Sequence, residues 1–153
     1  MKKKLTAYLM MLLMLCMTVF SGCGAPAEDV QGTDEGQSEV VTIDEDGWYY
    51  STEDVALYLY TYGELPDNFI TKKEAQSMGW DNKKGNLWEV ADGMYIGGDY
   101  FGNYEGILPE EDDYTECDVN YEGGYRGAER IIFSDDGDIY YTGDHYESFE
   151  QLY

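Results

Sequence analysis

His145 is the single histidine among 153 residues, and imidazole is the side chain whose unperturbed pKa allows proton transfer near neutrality. Any carboxylate partner comes from a pool of 32 Asp and Glu, and any anion-binding cation from nine Lys and Arg. Lys72 stands out among the cations. It follows Thr71 in a Thr-x-x-Glu capping box closed by Glu74, so it lies in the first turn of an expected helix, where the helix dipole already favours an anion. The chemistry open to these residues is proton transfer and anion binding. Three cysteines and one histidine are too few for a disulfide scaffold or a Cys/His zinc site. The run Ser134 to Asp138 (SDDGD) lacks the ligand spacing and terminal Glu of an EF-hand loop and reads as a hairpin turn.

The elements that must position these groups follow from periodicity. Ser51 to Asp54, then Val55, Leu59 and Tyr62, have the spacing of an amphipathic helix, which Gly63 and Pro66 stop. A short helix follows Thr71, and Asn86 is expected to cap a third turn through Val90. After Gly93 tyrosine and isoleucine become dense and glycine-containing turns recur, as in strands. From Thr115 to Tyr121 the pattern alternates: Cys117, Val119 and Tyr121 on one face, Glu116, Asp118 and Asn120 on the other. Residues 130–133 and 139–142 flank the 134–138 turn, and 148–153 form an edge strand. Helices followed by strands imply an α+β fold, short helices packed on an antiparallel sheet. On the residues alone Glu116 is one acid of 32 on a solvated face, and Cys117 is a small buried apolar residue.

Charge divides the chain further. The formal net charge of −23 argues at first sight against a nucleic-acid partner. Apolar content of 43%, with 16 Tyr, 5 Phe and 3 Trp, is too rich for a wholly disordered acidic chain. Lys2 to Lys4 precede an apolar run from Leu5 to Phe20, and no acid appears before Glu28, the pattern of a secretory signal. Phe20 to Cys23 (FSGC) resembles a bacterial lipobox, in which the cysteine becomes the lipidated N-terminus; Ala25 to Ala27 offers a rival cleavage site. The expected organisation is a signal at 1–22, an acidic tether at 23–46 and a folded domain at 47–153. Loss of Lys2, Lys3 and Lys4 leaves six basic residues against the same 32 acids, a net of −26.

Longer segments are more specific. LPDNFITKKEAQSMGW (65–80), KGNL (84–87), IGGDYFGNYEG (96–106) and DHYESF (144–149) closely resemble, in collinear order, the barnase-like guanyl-specific ribonucleases of bacteria. The resemblance runs from about Val55 to Phe149. It implies the microbial ribonuclease fold and RNA cleavage on the 3′ side of guanosine, first to a 2′,3′-cyclic phosphate and then to a 3′-phosphate. By this resemblance Glu116 is the general base and His145 the general acid. Lys72, Arg126 and Arg130 bind the phosphate and the charge that builds on it. Gly102, Asn103, Tyr104 and Glu105 form the guanine-reading loop, and Phe101 and Tyr146 hold the base between them.

The resemblance also implies no cofactor and no metal, single-stranded RNA as substrate and a monomeric enzyme. A barstar-like inhibitor protein is a further implied partner, although family inhibitors are acidic and so is this chain. Location is expected outside the cell, held to the cytoplasmic membrane through lipid on Cys23. At Tyr104 the family commonly has Arg, and the acids Glu110 to Asp113 stand where it tends to be basic. These departures leave a second expectation, a catalytically weak module that binds a guanosine nucleotide or a protein. The negative surroundings are expected to raise the pKa values of Glu116 and His145.

Overall fold

The computed structural model describes residues 42–110 and 113–153, so the expected signal, Cys23 and most of the tether lie outside the described residues. Helix α1 (Thr52–Tyr62) starts where Ser51 accepts a hydrogen bond from the Asp54 N–H, and Gly63 ends it. Its apolar stripe, Val55, Ala56 and Leu59, packs against Cys117, Val119, Ile131 and Ile139. Helix α2 (Lys72–Ser77) begins with the full capping box, the Thr71 hydroxyl accepting from Glu74 N–H and the Glu74 carboxylate accepting from Thr71 N–H. Helix α3 (Leu87–Val90) forms without the expected side-chain cap. The Asn86 amide instead accepts from Asp81 N–H and donates to the Gly79 carbonyl, bracing the preceding loop. Two nearer backbone groups outcompete the helix end for the same side chain.

Six strands lie in chain order across one sheet, the first of them between α1 and α2: β1 (Phe69–Ile70), β2 (Tyr95–Phe101), β3 (Tyr114–Asp118), β4 (Arg130–Ser134), β5 (Ile139–Thr142) and β6 (Glu150–Gln151). All neighbours are antiparallel except the two-residue β1, which runs parallel to β2. This α+β architecture is the one expected; β1 is too short to carry a periodic signal. In β2 the register shifts between Gly97 and Asp99. A side chain at Gly97 would fall 2.7 Å from both Cys117 Cβ and the Phe69 ring, and Gly98 sits at φ +89°, so two glycines permit the bulge.

The register arranges the side chains in rows across the sheet. Cys117, Ile131 and Tyr141 share one row, on the α1 side. Glu116 stands beside Ile132 and Tyr140, and Asp118 beside Arg130 and Thr142. Tyr114, Ile132, Tyr140 and Leu108 form a separate cluster, against which Phe101, Tyr146 and Phe149 pack. The second face is therefore covered and not solvated, contrary to the expectation from alternation. Ile131, Ile132 and Ile139 are almost wholly buried, each worth about 1.5–3 kcal/mol relative to exposure. Residues 43–46, within the acidic stretch assigned to the tether, hold to α1: the Tyr58 and Tyr62 hydroxyls donate to the carbonyls of Glu45 and Ile43.

Candidate active site

The centre of the covered face is Glu116, 6% exposed. Lys72 Nζ lies 2.5 Å from its Oε1, and the Tyr146 hydroxyl donates to its Oε2 at 2.6 Å. Lys72 can reach because the start of α2 is pinned to the sheet: its backbone N–H donates to the Asp99 carboxylate on β2 at 2.9 Å. Burial pushes the Glu116 pKa up, but the hydrogen bonds from Lys72 and Tyr146, with the charges of Lys72 and Arg126, outweigh it and hold the carboxyl below its ordinary range. This reverses the expected upward displacement of Glu116. A cation in contact acts through low dielectric, whereas the many distant acids act through screened solvent. Burial and the neighbouring Glu116 push the Tyr146 phenol up to about 12, so it remains a donor at neutral pH.

Arg126 and Arg130 meet on Asp118. Arg126 donates from Nε and Nη2 to the two carboxylate oxygens at 2.6 and 2.5 Å, in the planar fork geometry. Arg130 Nε stands 2.9 Å from Asp118 Oδ1, close enough for an ion pair but without hydrogen-bond alignment, while its Nη1 donates to the Glu129 carbonyl at 2.7 Å. Asp118 and Arg130 are 2% and 3% exposed. The alternation of residues 115–121 puts Asp118 on the Glu116 face but gives it no role; its one signal in the sequence is the two-residue spacing from Glu116.

His145 is displayed by a strained turn after β5. His145 and Tyr146 both have positive φ, 61° and 73°. Asp144, which sequence reasoning did not single out, holds this turn. It accepts from the Thr142 and Ser148 hydroxyls and from the N–H groups of Glu147 and Ser148. Those bonds, the Ser148 hydroxyl foremost, lower its pKa to about 2 from an ordinary 3.8. A carboxyl depressed in this way stabilises the fold above its unfolded-state pKa, and the contribution disappears as pH falls through the folded value. Asp144→Asn is therefore expected to lower the melting temperature at pH 5–7, with the gap to the unsubstituted protein closing as pH approaches about 2. Thermal unfolding at stepped pH measures this, and a gap constant with pH would contradict it.

A cavity of about 320 Å³ brings together His145, the two aromatics Phe101 and Tyr146, and the whole expected reading loop, Gly102 to Glu105. Asn103 braces the loop by donating to the Leu108 carbonyl at 2.7 Å and accepting from Leu108 N–H. Tyr104 N–H is spent on the Gly102 carbonyl, so it is not free for a ligand. The Tyr104 ring lies over Gly102, where an added side-chain carbon would fall 2.2 Å from it, yet Tyr104 is 93% exposed. Phe101 and Tyr146 touch directly, with centroids 5.3 Å apart and planes tilted by 32°. A base held between them has to part the two rings. Cys117 is buried on the opposite face and its thiol pKa is pushed up by burial, which leaves it inert as a nucleophile.

Residues 52–153 match a family model described as ribonuclease. A ribonuclease from Heyndrickxia coagulans is 51% identical over 100 residues, covering 64% of this chain and 92% of the relative. A ribonuclease from Bacillus intermedius is also 51% identical over 100 residues, and there the chain spans 62% of the relative's length. A guanyl-specific ribonuclease St from Saccharopolyspora erythraea is 49% identical over 55 residues, covering 34% of this chain and 54% of the relative.

Proposed function

The chain belongs to the microbial ribonuclease family, and on that premise we propose that it cleaves single-stranded RNA on the 3′ side of guanosine without a metal. The observation that carries this reading is the contact of Lys72, Glu116 and Tyr146 beside a cavity that His145 and residues 101–105 line. Glu116, held ionised, takes the proton of the ribose 2′-OH as that oxygen attacks phosphorus. His145 protonates the departing 5′-oxygen, and water then opens the cyclic phosphate with the two roles exchanged. Lys72 and the Arg126 Nη1 left outside the Asp118 fork meet the charge on the phosphorane oxygens, with Arg130 behind them. Each Glu116 oxygen accepts one hydrogen bond and keeps a further lone pair for the 2′-OH. Tyr146 is the partner whose ring also borders the base cavity, so it touches both the base site and the general base.

In the reading loop, the Glu105 carboxylate accepts from guanine N1–H and the exocyclic amine. Adenine lacks that pair of donors and would leave the carboxylate unsatisfied. The test is cleavage of GpN and ApN dinucleotides by the purified protein. Rapid formation of guanosine 2′,3′-cyclic phosphate with slow ApN turnover is expected. Equal rates would remove the guanosine reading, and tight guanosine-nucleotide binding without turnover would favour the weak-module reading that Tyr104 suggests. Export and lipid on Cys23 belong to the same proposal, supported by the sequence of residues 2–23 and checked by the mass of the exported protein.

A further inference from the structure

A second cavity, of about 280 Å³, shares no lining residue with the one at His145. Its walls are aromatic: Trp48, Tyr50, Trp88 and Tyr95. The rings do not form one flat platform. Tyr50 lies nearly parallel to Tyr95, with centroids 5.9 Å apart and planes at 11°, whereas Trp88 stands edge-on to Tyr95 at 6.0 Å and 75°. Trp48 closes over the backbone at Gly93, where a side-chain carbon would meet its ring at 3.2 Å. Trp48 and Tyr50 are 61% and 56% exposed, large apolar surfaces that core packing does not consume.

The polar groups around this cavity narrow the ligand. Trp88 Nε1–H donates to the Met94 carbonyl, and both ends of the Asn68 amide are engaged by the Tyr49 backbone. The Trp88 donor is therefore spent inside the protein, and Asn68 is 1% exposed. The charge on the lining is the exposed Asp92 carboxylate, and the lining contains no Lys or Arg. The Glu122 charge also reaches Tyr95. An anion would find no cation among the lining side chains, and the one amide there, that of Asn68, is 1% exposed. A compact, strongly hydrated metal ion or ammonium would give up water for one carboxylate and ring faces, a poor exchange. A quaternary ammonium has a diffuse charge, no N–H to satisfy and a shell of methyl groups that rests on ring faces. The chain's net charge of −23 concentrates such cations at its surface.

We propose that the cavity between Trp48, Tyr50, Trp88 and Tyr95 binds a small soluble trimethylammonium compound, with Asp92 as its counter-charge. The site is independent of the ribonuclease site, so its test does not depend on RNA cleavage. The protein is titrated with choline and, in parallel, with 3,3-dimethylbutan-1-ol, the uncharged carbon analogue of the same shape, by calorimetry and by tryptophan fluorescence. Saturable choline binding is expected, with the neutral analogue about 10-fold weaker or worse. Trp48→Ala is expected to weaken choline by about 10-fold, and Asp92→Asn by a smaller factor that shrinks as salt is added. Both positions are exposed, and unchanged far-ultraviolet circular dichroism verifies that the variants fold; Tyr50→Ala serves as a second wall variant. Equal affinity for choline and its neutral analogue would reduce the site to an apolar patch and overturn the proposal. So would unchanged affinity in both wall variants, or no saturable binding at all. Binding to phosphatidylcholine vesicles without binding of free choline would overturn the soluble ligand in favour of a membrane surface.

Discussion

Glu116→Gln is expected to slow transesterification of a GpN dinucleotide by about 10²- to 10⁴-fold, the range spanned by loss of one general base. The amide keeps the shape of the carboxylate and can still accept from Tyr146, so a folded protein is expected. It cannot accept the 2′-OH proton at neutral pH. The pH profile supplies a second, independent readout. The pKa of Glu116 lies below its ordinary 4.5 because Lys72 and Tyr146 hydrogen-bond the ionised form and Lys72 and Arg126 add positive charge, together exceeding the upward push of burial. The acid limb of kcat/KM is therefore expected below pH 4.5, and Tyr146→Phe, which deletes one of those hydrogen bonds, is expected to move it upward. An acid limb well above pH 4.5 in the unsubstituted protein, or activity unchanged in Glu116→Gln, would remove Glu116 as the base.

Asp118→Ala is expected to destabilise the fold by about 3–5 kcal/mol, the usual cost of breaking a buried ion pair from one side. The estimate rests on burial: Arg130 has a side chain 3% exposed and Arg126 one 14% exposed, and both converge on this carboxylate. Without Asp118 two guanidinium groups stay in a poorly solvated place without the carboxylate they share, and Arg126 keeps only the more distant charge of Glu116. Urea unfolding measures the change in midpoint at constant slope. A loss below about 1 kcal/mol would mean that the arginines reach water freely, as in an exposed pair. A double replacement, Asp118→Asn with Arg130→Met, is expected to recover part of the loss, because the strain lies in an uncompensated charge and not in a missing contact.

Alternation along residues 115–121 correctly separated Glu116 from Cys117, because side chains of a strand must point to opposite faces. It gave Asp118 no role, because periodicity tells which residues share a face but not what covers that face. The cover comes from elsewhere: Arg126 from the segment between β3 and β4, and Tyr146 from the turn after β5. The position of Asn86 implies a helix cap, yet its amide bonds to Asp81 N–H and the Gly79 carbonyl in the loop before it. The pairing of β1 with β2 depends on two residues brought together from 69–70 and 95–96, too few for any local signal.

The choice of chemical groups was thus legible in the sequence. One histidine, a capping box that places Lys72 in a first turn, and collinear segments shared with a known family require no tertiary contact to be read. What those groups become was decided by the tertiary structure. Register set Asp118 beside Arg130 and Glu116 beside Ile132, and closure of distant loops buried both carboxylates. Burial alone pushes the Glu116 pKa up, but the hydrogen bonds from Lys72 and Tyr146 and the charges of Lys72 and Arg126 outweigh it and lower the pKa, although the chain as a whole is strongly acidic. The physical reason is range. Net charge acts through screened water, whereas a cation in contact at 2.5 Å acts directly on a carboxylate that is itself buried.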